Sequence, residues 1–291
     1  MSRALKPFEY VEAGSVEEAA GVLSTWGGKA RVLAGGVSLI NDMRRRVVTP
    51  ECVVSIRALP GIGLIQGDGV RGLGIGAMVT LRAAEAFLSI KSDYLALYEG
   101  IAHIPSLQVK SMATVVGNLC VASPASDVAP PLIAMGGQVR MEGTSGYRTL
   151  PLEDFFLGVN QTALGPGELV TQVSVPAPGS GSGGAFMRLA RTPTDVAKLN
   201  VAVMMRVVDG VCREVRIALG AVAPRPVRAR KAEEALRGRK VAGERIAAAA
   251  EAACGDISPI SDIRSTVEYR KEMTKLLVKK ALEKALERAG G

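Results

Sequence analysis

The chain has 291 residues, 48% of them hydrophobic and 22% charged, with 33 glycines; at about 100–200 residues per domain this predicts two domains, or one large one with an appendage, and excludes a minidomain or a disordered chain. No apolar run approaches the roughly 18–20 residues that a membrane helix needs, and Met1 to Tyr10 lacks the apolar core of a signal peptide, so the expected location is cytoplasmic, without a membrane span. The net charge is +8, but aromatic residues make up only 4% of the chain, too few stacking platforms to expect nucleic acid as a partner.

Ser15-Val-Glu-Glu18 has the form of a capping box, and Gly27-Gly28 supplies a stop, so a helix is predicted between them. Arg31 to Ala34 is a short apolar strand that runs into Gly35-Gly36, after which Ser38 is positioned to cap a helix from Leu39 to Arg44. Cys52–Ile56, Ile62–Ile65 and Val70–Ile75 are three further strand candidates, and Thr80 is expected to cap a helix through Leu88. A helical stretch from Tyr94 to Ile101 precedes Lys110 to Asp127, whose small and polar residues have no clear period and predict a functional loop. Ala125 to Met135 continues as a small-residue helix, and Gln138–Met141 and Leu169–Val175 read as strands. Pro176 to Gly184 breaks all periodicity, which places a linker at 178–184 between domains 1–177 and 185–291. Beyond it, Ala185–Ala190, Leu199–Val208 and Val211–Leu219 alternate like antiparallel strands, followed by helices near Arg228–Leu236, Glu244–Cys254 and Ile263–Arg288. The fold class is α+β: a first domain with mixed sheets, then a small antiparallel sheet with a helical bundle.

The charge excess lies in the C-terminal third. Arg225 to Lys240 carries seven Lys or Arg against two Glu, and Arg264 to Arg288 eight against four; the expectation is a solvated helical face or an interface with an acidic partner subunit. Cys52, Cys120, Cys212 and Cys254 are isolated, without zinc or iron–sulfur spacing. The only histidine, His103, stands where a helix should end and reads as a packed or capping residue. Acid–base machinery is therefore scarce, and neither a catalytic side chain nor a metal ligand is expected.

The sharpest local signal is Val32-Leu-Ala-Gly-Gly-Val-Ser-Leu39. Paired glycines admit a bulky anion, and the helix start that follows offers free amides and a positive dipole end. Taken alone, a Gly-Gly pair favours a plain strand-to-helix turn. Gly72-Leu-Gly-Ile-Gly-Ala77 imitates a dinucleotide fingerprint, but its glycines lie within a strand rather than a turn, so close backbone packing is expected instead. Thr114 to Asp127 offers hydroxyl, amide and carboxylate partners, and two such loops suggest one extended polar ligand.

In order and spacing, Ala34-Gly-Gly-Val-Ser-Leu39, Ile75-Gly-Ala77, Gln108-Val-Lys110, Ala113-Thr-Val-Val-Gly-Asn118 and Ser123-Pro-Ala-Ser-Asp127 resemble the FAD-binding medium subunit of the molybdenum hydroxylases, the xanthine dehydrogenase and carbon monoxide dehydrogenase group. The likeness continues through Gly146-Tyr-Arg148, Asp154-Phe-Phe156, Thr162-Ala-Leu164, Glu168-Leu-Val170, Val175-Pro176, Ala221 to Pro226, Ala232 to Leu236 and Glu268-Tyr-Arg270, nearly the whole chain. The resemblance implies FAD between two subdomains of the first domain. Val32, Leu33, Ala34, Gly35, Gly36, Val37, Ser38 and Leu39 would form the phosphate turn, with the pyrophosphate on the amides of Gly35 to Ser38. Ala113, Thr114, Gly117 and Asn118 would line the flavin and phosphate path, Asp127 would hold ribityl or ribose hydroxyls, and Ser123 and Leu169 complete the set. Ile104 stands where some relatives place an aromatic against the flavin.

Two departures stand out. Val116 replaces a glycine of the family pattern, which puts the backbone path and FAD affinity at issue, and Val37 stands where a polar residue is common. Some relatives carry a cysteine-rich insertion after the Asn118 position for an extra cluster; here only Cys120 follows, which implies the simpler subunit. Partner chains would then supply the molybdenum-pterin cofactor (a large subunit) and the [2Fe–2S] clusters (a small subunit), in a dimer of heterotrimers. Electrons would pass through FAD to NAD or another acceptor. A free-standing flavin oxidoreductase of the same fold and, more remotely, a basic interaction module are the competing readings.

Overall fold

A computed structural model describes residues 4–290 of the chain; the outermost residues of the two predicted domains, 1–3 and 291, lie outside it. The first domain contains two larger sheets and a two-stranded hairpin. β1 (Glu9–Glu12), α1 (Val16–Trp26), β2 (Ala30–Leu33), α2 (Val37–Arg45) and β3 (Cys52–Ser55) form a parallel sheet of order β1-β3-β2 with its crossover helices. Ser15 Oγ accepts from Glu18 N at 3.1 Å, as a cap should, while the Glu18 carboxylate accepts from Gly14 N at 2.8 Å, one residue before the amide of a closed capping box. The edge strand β1 is largely exposed, so its sequence carries no burial signature.

The second sheet is antiparallel, of order β4-β5-β10-β6-β7. It begins with β4 (Ile65–Asp68) and β5 (Gly72–Gly76). The strand expected over Ile62–Ile65 is instead a turn that enters β4: Gly61 has φ +77 and Met78 N donates to Ile62 O at 2.8 Å. The β5 glycines do permit close packing, since a Cβ at Gly76 would lie 2.2 Å from Ile62 O and one at Gly74 2.6 Å from Gln172 Nε2.

Thr80 caps the next helix as expected, accepting from Ala83 N at 3.1 Å, but the helix breaks at Phe87 into α3 (Leu81–Ala86) and α4 (Leu88–Ser92). α5 (Leu95–Ala102) follows. The stretch read as a loop from Lys110 contains the second half of α6 (Leu107–Met112) and all of α7 (Val115–Cys120). Ser106 and Thr114 cap these helices of less than two turns through their hydroxyls, which stabilises helices too short to show a period. α8 (Ala129–Ala134), β6 (Gln138–Gly143), β7 (Gly146–Pro151), α9 (Leu152–Phe155), the small hairpin β8 (Phe156–Gly158) and β9 (Gln161–Thr162), and β10 (Leu169–Val175) complete the domain.

The second domain is a sheet of order β11-β12-β13-β14, from β11 (Ser182–Leu189), β12 (Leu199–Val208), β13 (Val211–Gly220) and β14 (Val227–Arg228), followed by α10 (Arg230–Leu236), α11 (Gly243–Ala252) and α12 (Val267–Arg288). β11 begins at Ser182, so residues 182–184 of the expected linker are strand. They pair with Met204–Arg206, and a Cβ at Gly183 would lie 2.0 Å from Ala285 O, so glycine there admits the close approach of α12.

Both faces of this sheet are covered. Ala185, Val201, Val203, Ile217 and Leu219 belong to an apolar core shared with α10–α12, whereas Phe186, Ala202 and Ala218 join the core of the first domain, where α5 and α8 pack. Two polar clasps reinforce that seam. Glu99 on α5 accepts from Lys284 Nζ at 2.8 Å, Arg288 Nη2 at 2.7 Å and Phe186 N at 2.9 Å. Arg228 and Arg230 reach the Glu153 carboxylate at 3.2 and 2.7 Å, and Arg225 donates to the carbonyls of Glu153 and Phe156. Part of the basic run read as a solvated face or subunit interface is thus an intramolecular clasp.

Candidate cofactor-binding site

β2 delivers the chain to Gly35-Gly36 at the edge of the parallel sheet. Gly36 has φ +74 and is the N-cap of α2 with no side-chain cap; Ser38, expected as the cap, lies inside the first turn. A left-handed cap costs glycine little, and it leaves the amides of Val37, Ser38 and Leu39 without intrahelical acceptors at the positive end of a nine-residue helix.

Gly35 brings the two predicted ligand loops together. A Cβ there would lie 1.8 Å from Met112 O and 3.1 Å from the Ala113 Cα, so only glycine permits the contact. Ala113 to Val115 is itself anchored to the segment after β5: Leu81 N donates to Ala113 O at 2.8 Å, and Val115 N to Val79 O at 3.0 Å. Thr114, buried at the α7 cap, accepts from Gly117 N at 2.9 Å, and a Cβ at Gly117 would sit 2.7 Å from that hydroxyl oxygen. Asn118 Oδ1 accepts from Ser126 Oγ at 2.7 Å, while no hydrogen bond engages its Nδ2 among the described residues. Ser126 Oγ also accepts from the amides of Val128 and Ala129.

Asp127 ends this chain of contacts. Its Oδ2 accepts from Arg188 Nε at 3.0 Å and its Oδ1 from Asn200 Nδ2 at 2.7 Å. Burial pushes the carboxyl above its ordinary range, against the opposing pull of Arg188, Asn200 and His103. The resemblance marks Arg188 to Lys198 as a segment that lies near the flavin in some relatives, but the contact of Arg188 with Asp127 escaped the sequence reading, as did Asn200, whose only local sign was a polar residue in the run Leu199–Val208. His103 is the exposed C-cap of α5, with Nδ1 2.7 Å from Glu99 O and its ring edge-on to Phe186, in keeping with a capping role.

The remaining candidates differ in their surroundings. Val32, Leu33, Ala34, Val37 and Leu39 are half-buried around the glycine turn. Ser123 Oγ accepts from Ala125 N at 3.3 Å. Ile104, just past α5, and Leu169, opening β10, belong to the apolar core that backs α7. Val116 is 3% exposed in that same core, so the departure from glycine is taken up as packing.

A glycine cradle, an uncapped helix start and adjacent amide and hydroxyl groups fit a dinucleotide cofactor with a pyrophosphate. Among the described residues no group of three or more His, Cys, Asp or Glu is placed to hold a metal ion, and no helix is long and apolar enough to cross a membrane.

Comparison with known proteins gives the same assignment. The family described as the FAD binding domain in molybdopterin dehydrogenase matches residues 6–178, and the carbon monoxide dehydrogenase flavoprotein C-terminal domain matches residues 184–285. The carbon monoxide dehydrogenase medium chain of Hydrogenophaga pseudoflava is 33% identical over 278 residues, covering 96% of each chain. A solved structure of that organism's carbon monoxide dehydrogenase superposes with a TM-score of 0.94 at 34% identity, covering 98% of this chain and 99% of its own. Quinoline 2-oxidoreductase from Pseudomonas putida 86 gives 0.90 at 28% identity over 99% of both chains. With two family matches in tandem and a relative above 30% identity along almost its full length, the chain belongs to the FAD-binding medium subunits of the molybdenum hydroxylases, the carbon monoxide and xanthine dehydrogenase group.

Proposed function

We propose that this chain is the electron-transfer subunit of a heteromeric molybdenum hydroxylase and holds FAD across the junction of the Gly35–Leu39 turn and the Ala113–Asn118 segment. The close approach of Gly35 to Met112 and Ala113 carries the reading, because it turns two loops distant in sequence into one polar surface. On this reading the amides of Val37 and Ser38 hold the pyrophosphate, Thr114, Gly117 and Asn118 line the path beside it, and Asp127 orients hydroxyls of the cofactor's polyol. Ile104 and Leu169 contribute apolar contact. Bound FAD would supply a two-electron store that also exchanges electrons singly. The chain's own residues bind, orient and exclude water; none needs to move a proton, and His103 is engaged at Glu99 O.

Electrons would arrive from the [2Fe–2S] clusters of a small subunit, after substrate oxidation at the molybdenum-pterin cofactor of a large one, and leave to NAD or another acceptor. The term medium chain in a relative's name supports such a three-chain complex, here taken as a dimer of heterotrimers in the cytoplasm. The division into 1–177 and 185–291 belongs to the same reading. Co-expression with candidate large and small subunits of this family tests it: one complex should purify, its flavin absorbance should bleach on adding the hydroxylase substrate, and NAD, oxygen and a quinone added singly should identify the acceptor by recovery. A chain that purifies alone and turns over reductant and acceptor unaided would overturn the subunit reading.

A further inference from the structure

We propose that Arg188 and Asn200, on adjacent strands of the second domain, are positioning residues for the cofactor loop Ser123–Asp127, so that the C-terminal sheet governs how tightly the N-terminal domain holds FAD. This rests on the FAD site proposed above and extends it to residues outside the cofactor-binding domain.

Arg188 and Asn200 are register partners in the β11–β12 ladder. They share the sheet face that carries Phe186 and Ala202 into the core of the first domain. From there they take separate oxygens of the Asp127 carboxylate, and Asn200 Nδ2 also donates to Ser126 O at 3.0 Å. Ala221 N adds a bond to Pro124 O at 2.7 Å. The loop is therefore gripped at Pro124, Ser126 and Asp127 by β11, β12 and the end of β13.

The grip is buried. The Arg188 and Asp127 side chains are 7% and 11% exposed, and Asn200 is fully buried with its Oδ1 unpartnered. An apolar residue would fill that strand position without an orphaned acceptor, so what Asn200 contributes is its pair of bonds to the loop. Gly220 leaves room for it, since a Cβ there would lie 2.2 Å from Asn200 Oδ1 and 3.1 Å from Pro124 O. On the other side Ser126 bonds Asn118, which lies on α7 behind the Thr114 cap, and Ala113 abuts Gly35. A shift at Asp127 is thereby transmitted to both halves of the cofactor surface. Arg188 also donates to the carbonyls of Pro193 and Asp195, which ties the β11–β12 connection to the same carboxylate.

The test is titration of the full-length chain with FAD, alongside thermal unfolding of each apo protein, for the unaltered chain, Arg188→Met, Arg188→Lys and Asn200→Leu. Arg188→Met and Asn200→Leu should each weaken FAD binding about tenfold or more and alter the visible band shape of bound flavin. Arg188→Lys should stay within roughly threefold of the unaltered chain, because it keeps the charge on Asp127. Should Arg188→Met fail to fold, Asn200→Leu and Arg188→Lys carry the same comparison. Unaltered affinity and spectrum in Arg188→Met and Asn200→Leu, or losses that follow thermal stability alone with no rescue by lysine, overturn the inference while leaving the FAD site standing. Failure of the unaltered chain to bind FAD overturns the site reading and the inference with it.

Discussion

Replacing Gly35 by alanine tests the junction of the two loops at its tightest point. The added methyl would lie 1.8 Å from Met112 O and 2.8 Å from the Met112 carbonyl carbon, whereas real Cβ contacts essentially never fall below 3.0 Å, so the turn and the Met112–Ala113 segment must part by about 1.2 Å. Neither neighbour is the end of a flexible side chain. Ala113 is held by Leu81 N and Thr114 by the α7 cap, so the displacement falls on the Gly35-Gly36 turn. Overpacking of this kind costs about 1–3 kcal/mol, and a misplacement of about 1 Å in a positioned site costs on the order of a hundredfold in function. Gly35→Ala should therefore lower the unfolding midpoint modestly and weaken FAD binding, followed by quenching of flavin fluorescence, by at least about tenfold. Gly28→Ala is the control, because a Cβ at Gly28 meets nothing within 4 Å and should leave affinity and stability unchanged. Wild-type affinity in Gly35→Ala would refute the claim that the loops meet in this way to form the site.

Thr114→Val removes the α7 cap and should cost about 1 kcal/mol of stability, read by urea denaturation, together with a loss of FAD affinity from freeing Gly117 N. Val116→Gly restores the family's usual glycine but empties a core position inside a helix; stability should fall by about 2–4 kcal/mol, with FAD affinity little changed, and a gain in affinity would show that the valine does obstruct the cofactor. Glu99 joins the two domains, and its bonds to Arg288, Lys284 and Phe186 N outweigh burial and hold its carboxyl below the ordinary range. A folded-state value below the unfolded one means that this stabilisation is fully present at neutral pH and is lost as pH falls through the carboxylate range. Glu99→Gln should thus cost about 1–3 kcal/mol near neutrality, with the gap to wild type closing in acid; equal deficits at both pH values in chemical denaturation would contradict the clasp.

Much of the scaffold was legible because local chemistry dictates it. Ser15 and Thr80 sit at their helix starts by hydrogen bonds to residues three ahead, and the turn at Gly35-Gly36 announces itself between an apolar strand and an amphipathic helix. The misses share a physical origin. α6 and α7 are six residues each, less than two turns and too short for a hydrophobic period, and only Ser106 and Thr114 could have signalled them. β1 and β7 are largely exposed edge strands with no apolar face to read. The proposed cofactor site was legible as two loops, through their small residues and their likeness to a family, but not as one surface, because the Gly35–Met112 contact depends on how the two sheets dock. The partners of Asp127 lie 61 and 73 residues away on strands whose pattern reports only burial.

The most direct measurement is the visible absorption spectrum of the purified full-length chain, with chemical identification of any cofactor released on denaturation. Flavin bands and release of FAD at about one per chain, or uptake of added FAD to that ratio, are the predicted result. A colourless protein that takes up no added FAD while remaining folded would contradict the central claim that the Gly35–Leu39 turn and the Ala113–Asn118 segment form a flavin site.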